Sequence, residues 1–64
     1  MSQGYKKLKE ERKRHHMSCK DMAILLNISP GYYWQVENGT RRLLYDLAVR
    51  IAEIFQMKPD DLFY

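Results

Sequence analysis

The sequence predicts an all-α fold, a compact bundle of five short helices. Apolar residues recur three and four positions apart, most clearly at Leu44, Leu47, Ala48, Ile51, Ala52 and Phe55. Residues that start or stop helices punctuate the chain at short intervals: Ser18, Asn27, Ser29-Pro30, Asn38-Gly39 and Pro59. No stretch reads as a strand, and there are no repeats or low-complexity segments.

The first helix is expected at about 5–15, with Tyr5, Leu8 and Arg12 on one stripe and Lys and Arg over the rest. An isolated helix of that length is marginal in water, so packing must hold it. His15-His16 reads as its end, because the helix dipole favours a charged histidine there and histidine tolerates the left-handed backbone of a helix terminus. Met17 is an apolar anchor. Ser18 with Asp21 forms a capping box that opens a second helix at about 18–26. Met22, Ala23 and Leu26 give that helix one apolar face, and Asn27 suits a left-handed end. Ser29 caps a third helix at about 30–38, with Pro30 at the first position, where its missing N–H costs nothing. Tyr33 and Val36 point back to the second helix, and Asn38-Gly39 closes the unit. Thr40 to Leu43 connects to a fourth helix at about 44–55, which Gln56-Met57-Lys58 breaks. Pro59-Asp60-Asp61 starts a last helix at 59–63, with its acids where the dipole favours them.

The 64 residues suffice for one domain, 1–64, with a small core. One cysteine makes no internal disulfide, and no Cys/His cluster has zinc spacing, so oligomerisation is a natural source of extra stability. The lone Cys19 fits a reducing cytoplasm. No apolar run approaches the roughly 18 residues of a membrane span, and the basic N-terminus lacks the apolar stretch of a signal peptide. The Asn38-Gly39-Thr40 sequon is better read as a turn.

The net charge of +3 is unevenly placed. Residues 1–20 carry seven Lys/Arg against two acids, residues 21–40 carry only Asp21 and Glu37, and residues 41–64 balance at four of each. A second basic point stands at Arg41-Arg42. Such asymmetry suits a polyanion, or else a solvated helix face. Catalysis has no support: there is no nucleophile–base set, no phosphate-cradling glycine loop and no metal site. Adjacent His15 and His16 do not face each other on a helix. No enzyme activity, cofactor or small-molecule ligand is expected.

Two short helices joined by a tight turn at residues 27–29 form a helix-turn-helix, whose second helix can enter a DNA major groove. At this point the chain resembles the Cro/cI-type, or XRE-type, repressor family with a lambda-repressor-like DNA-binding domain. The resemblance rests on Leu8-x-x-x-Arg12, Met17-Ser18, Met22-Ala23, Asn27 to Tyr33, Val36-Glu37-Asn38-Gly39, Ile51-Ala52-x-x-Phe55 and Pro59-x-x-Leu62-Phe63. It implies a regulator that occupies an operator, and an ion pair between Arg12 and Glu37 tying the first helix to the third. It also implies a two-fold contact at the C-terminus, here Phe63 and Tyr64. The sequence departs from the family at Cys19, where a glutamine often meets the DNA backbone. It departs again at Pro30 and Gly31, early recognition-helix positions that often read bases.

Readout therefore shifts along the third helix. Gln35 lies opposite Tyr33 and Val36 and can bind adenine bidentately. Tyr32 could meet a phosphate or a thymine methyl, and Trp34 could touch sugar or base or pack on the protein. Arg41 and Arg42 are candidate phosphate clamps, with Asn38 and Thr40 as further backbone contacts. Lys9, Lys13 and Arg14 supply long-range attraction. The expected partner is double-stranded DNA with a palindromic operator, bound by a weak homodimer. The alternative is a protein-binding module, an antitoxin or adaptor, for which Tyr32 and Trp34 also suit.

Overall fold

The computed structural model describes residues 4–63 and contains five helices: α1 Lys6–Arg14, α2 Cys19–Leu26, α3 Pro30–Glu37, α4 Tyr45–Ile54 and α5 Pro59–Phe63. There is no strand among the described residues. α2 packs on α3, α1 packs on α3 and α5, and α4 packs on α2 and α5. Between them lie Leu8, Met22, Ala23, Leu26, Tyr33, Val36, Leu47, Ile51, Ala52, Phe55 and Leu62. The predicted apolar stripes of the second, third and fourth helices are all buried, with one exception.

The exception is Leu44. The three-residue spacing back from Leu47 placed it on the buried face of the fourth helix. It is instead the residue before α4, with extended backbone (φ −85°, ψ 149°) and 53 % exposed. The helix begins only at Tyr45, so Leu44 never enters the helical register, and Leu43 packs against the core.

The helix starts follow their caps. Ser18 Oγ accepts the Asp21 N–H at 3.0 Å, and the Asp21 carboxylate accepts the Ser18 N–H at 2.8 Å, completing the expected box. That hydrogen bond from the Ser18 backbone holds the Asp21 carboxyl below the usual aspartate range. Ser29 Oγ accepts the Tyr32 N–H at 3.1 Å, with Pro30 at the first helical position.

The first four helices end alike. After each, one residue is left-handed: His16 (φ 56°), Asn27 (φ 59°), Gly39 (φ 80°) and Gln56 (φ 55°). The next residue's N–H reaches back over the last turn: Met17 to the Arg12 carbonyl, Ile28 to Ala23, Thr40 to Gln35 and Met57 to Ala52. This is the Schellman ending, in which helix carbonyls that would lack partners are satisfied. Met17, Ile28 and Met57 then pack against the core, so each stop also fixes where the chain re-enters. The turn between α2 and α3 is pinned further by Arg50 of α4, whose Nη2 donates to the Leu26 carbonyl at 2.7 Å.

A side chain at positive φ costs about 1–2 kcal/mol, which glycine avoids at the expense of unfolded-state entropy. Gln56→Gly is therefore expected to raise the unfolding free energy by about 0.5–1 kcal/mol, and Gly39→Ala to lower it by about 1 kcal/mol. Chemical denaturation of both variants checks this, and equal midpoints for all three proteins would contradict it.

Candidate nucleic-acid interface

The recognition unit is held from behind by one buried polar node. Arg12 leaves α1 and Glu37 ends α3. Arg12 Nε donates to Glu37 Oε2 at 2.9 Å and Nη2 donates to Oε1 at 3.0 Å, a bidentate fork. Nη1 donates to the Met17 carbonyl at 2.8 Å. The Tyr33 hydroxyl donates to Glu37 Oε2 at 2.7 Å. Glu37 is 1 % exposed, and no buried side-chain polar atom among the described residues is unpaired. The bonds to Glu37 hold the Arg12 guanidinium firmly charged against its burial. Burial, reinforced by the bond to Glu37, pushes the Tyr33 phenol far above its usual range, so it remains a donor. The predicted ion pair is in place.

A second clasp joins the same elements through backbone. The Tyr5 N–H donates to the Glu37 carbonyl at 2.9 Å. Gly4 precedes it at φ 68°, and a Cβ there would lie 2.8 Å from that carbonyl oxygen. Only glycine fits both the backbone conformation and the approach. Sequence reasoning missed this clasp, since a glycine ahead of a helix carries no signal of what it touches. The Tyr33 hydroxyl bond was missed too, although its i,i+4 spacing to Glu37 was visible.

With Tyr33, Val36 and Glu37 buried, α3 turns Pro30, Gly31, Trp34 and Gln35 outward. Gly31, Trp34, Gln35 and Asn38 fall at three- and four-residue steps along that face. Gly31 has nothing within 4 Å of where a Cβ would stand, so packing does not require glycine there. Trp34 is 52 % exposed. Asn38 and Thr40 are partly committed: Asn38 Nδ2 donates to the Trp34 carbonyl at 2.8 Å, and Thr40 Oγ1 to the Gln35 carbonyl at 3.3 Å. Both therefore help close α3. Arg41 and Arg42 are exposed, and no ion pair involves them among the described residues. Arg41 lies over the half-buried Tyr32 ring, 5.1 Å from its centre.

The remaining candidates lie on other elements. Lys13 and Arg14 are exposed on α1, and Lys9 is half-buried there. Phe63 is half-buried, its ring edge-on to Tyr5 at 5.0 Å and 87°. Part of the surface expected for a two-fold contact is thus used within the chain. Tyr64 lies outside the described residues. Cys19 is half-buried at the start of α2, and burial pushes its thiol up, against the pull of Arg12. No cluster of three His, Cys, Asp or Glu among the described residues is placed to hold a metal. No helix among the described residues is long and apolar enough to cross a membrane.

A helix-turn-helix whose second helix is locked from behind and exposed in front defines a DNA-reading module. A helix-turn-helix family model matches residues 8–62, and the chain belongs to that family, the Cro/cI-type (XRE) DNA-binding transcription regulators, which are not enzymes. No curated protein matches. Among solved structures, the restriction-modification controller protein C.AhdI from Aeromonas hydrophila is similar. It shows 26 % identity and a TM-score of 0.80, over 89 % of this chain and 86 % of that one.

Removing the charge of Glu37 while Arg12 stays buried leaves an uncompensated cation. Glu37→Gln is expected to cost about 3–5 kcal/mol. Tyr33→Phe, which removes one donor to a charged acceptor, is expected to cost about 1.5–3 kcal/mol. Unfolding curves in urea measure both, and a Glu37→Gln curve that overlays the wild type would contradict the role given to the pair.

Proposed function

We propose that this protein is a sequence-specific regulator, a repressor, that acts in the cytoplasm by occupying a palindromic DNA operator. The observation that carries this is the outward face of α3. It presents Trp34 and Gln35, with Arg41 and Arg42 following, neither in an ion pair among the described residues, while Tyr33, Val36 and Glu37 behind it are buried. α3 enters the major groove and α2 crosses the phosphate backbone. Gln35 reads a base, and the arginines grip phosphates. The net charge of +3, concentrated in α1, adds long-range attraction. The likeness to C.AhdI, itself a controller protein, supports a regulatory role.

A second reading, a protein-binding module on the same fold, draws on Pro30 and Gly31. These give the first turn of α3 no side chain able to hydrogen-bond a base, and Trp34 is half-exposed. A salt titration separates the two. DNA binding releases counterions, so log K falls linearly with log salt at about 0.9 per phosphate contact.

Selection from random-sequence duplex with purified protein tests the proposal. Gln35→Ala is expected to relax preference at one base position by about 1–3 kcal/mol, and Arg42→Ala to weaken all sequences alike and flatten the salt slope. An unchanged selected motif in Gln35→Ala would remove Gln35 as a reader.

The C-terminal end carries the proposed two-fold contact. A cleft of about 290 Å³ lies there, lined by Tyr5, Leu43, Ala48, Pro59, Asp60, Phe63 and the largely exposed Tyr45. A symmetric pair using Phe63 and Tyr64 would set two recognition helices about 34–36 Å apart, one turn of DNA. Sedimentation of wild type and Phe63→Ser/Tyr64→Ser is expected to show a weak dimer that forms mainly on DNA and is lost in the variant. A monomer that fills one half-site regardless of these changes would refute it.

A further inference from the structure

Tyr32 is not on the outward face that holds Gly31, Trp34 and Gln35. Its ring packs against the core edge and forms one wall of an open cleft, about 580 Å³, with Ile28, Ser29, Arg41, Arg42 and Leu44. The Arg41 guanidinium covers that ring at 5.1 Å. Arg41 comes from the stretch between α3 and α4, which has no regular structure to hold it. Neither arginine makes an ion pair among the described residues. Leu44, left 53 % exposed by the late start of α4, supplies an apolar wall with Ile28.

Two exposed guanidiniums beside apolar walls match the two halves of a DNA backbone unit: phosphate oxygens for the arginines and a deoxyribose face for Leu44 and Ile28. We propose that this cleft seats one sugar-phosphate unit of the operator, and that Tyr32 is the positioning residue that holds Arg41 ready for its phosphate. The proposal rests on the DNA-binding reading above and gives Tyr32 no part in base readout. A long side chain on an irregular segment loses rotamer freedom when it binds. Stacking on a fixed ring takes that loss before DNA arrives. The aromatic face, not the hydroxyl, does this.

The test is fluorescence-anisotropy titration of a duplex selected by the wild type, at several salt concentrations. The proteins are wild type, Tyr32→Phe, Tyr32→Leu, Arg41→Ala and Tyr32→Leu/Arg41→Ala, with melting curves to confirm that each folds. Leucine keeps apolar packing and removes the π face. Arg41→Ala is expected to lower the salt slope by about 0.9 and affinity by roughly three- to tenfold on every sequence. Tyr32→Leu is expected to reproduce most of that loss, the double variant to add little, and Tyr32→Phe to match the wild type. The selected motif stays unchanged in all of them. A Tyr32→Leu protein that changes its preferred base with its salt slope intact overturns the proposal. So does a double variant whose losses multiply, or a Tyr32→Phe variant as weak as Tyr32→Leu. A wild type that binds no duplex overturns it together with the reading on which it rests.

Discussion

The Arg12–Glu37 pair is the constraint on which the recognition unit depends. Each of the two charges loses water, and each recovers its hydrogen bonds within the protein: Arg12 gives a fork to Glu37 and a third N–H to Met17, and Glu37 also receives the Tyr33 hydroxyl. Such a pair is weak evidence for stability, because an apolar replacement of the same shape can do as well. What it specifies is orientation. A bidentate fork fixes both distance and plane, so α3 is held against α1 at one rotation about its axis. That rotation decides which residues of α3 face outward. The Tyr5–Glu37 backbone bond and the close approach of Gly4 reinforce the same joint from the other side.

The rest of the fold serves a chain too short for a large core. Four repeated Schellman endings satisfy backbone carbonyls at places where a small domain has few layers to cover them. Each ending spends one left-handed residue and gains a fixed re-entry point for the chain. Arg50 does comparable work by a side chain, closing the end of α2 so that the turn into α3 is firm. Behind α3 lies a packed scaffold, and after it comes an irregular stretch at 40–44 that carries Arg41 and Arg42.

Much of this was legible in the sequence, and the gaps have physical causes. Asn27, Ser29-Pro30 and Ser18/Asp21 announce themselves, since few other residue types suit a left-handed end or an N-cap. Gln56 adopts the same left-handed backbone with no such preference, so its role depends on the chain around it. Leu44 misled because periodicity cannot say where a helix begins. The Arg12–Glu37 pair came from the resemblance, whereas the Tyr33 hydroxyl bond needed coordinates to show that both ends point inward. The stacking of Arg41 on Tyr32 joins residues from a helix and an irregular segment, and no pattern rule links those. At the face itself, the sequence identified Gln35 as outward and left Trp34 open between nucleic-acid contact and packing on the protein, where the structure leaves it 52 % exposed. It did not show that Asn38 and Thr40 close α3 with their own donors.

A titration of isotope-labelled protein with the selected operator, followed by backbone amide NMR, tests most directly whether the locked α3 face meets DNA. Shifts concentrated at Ser29, Gly31, Trp34, Gln35, Arg41 and Arg42, with the amides of Leu8, Arg12 and Leu62 nearly still, are expected of a rigid reader docked through α3. Shifts concentrated on α4 and α5 with α3 silent would contradict it.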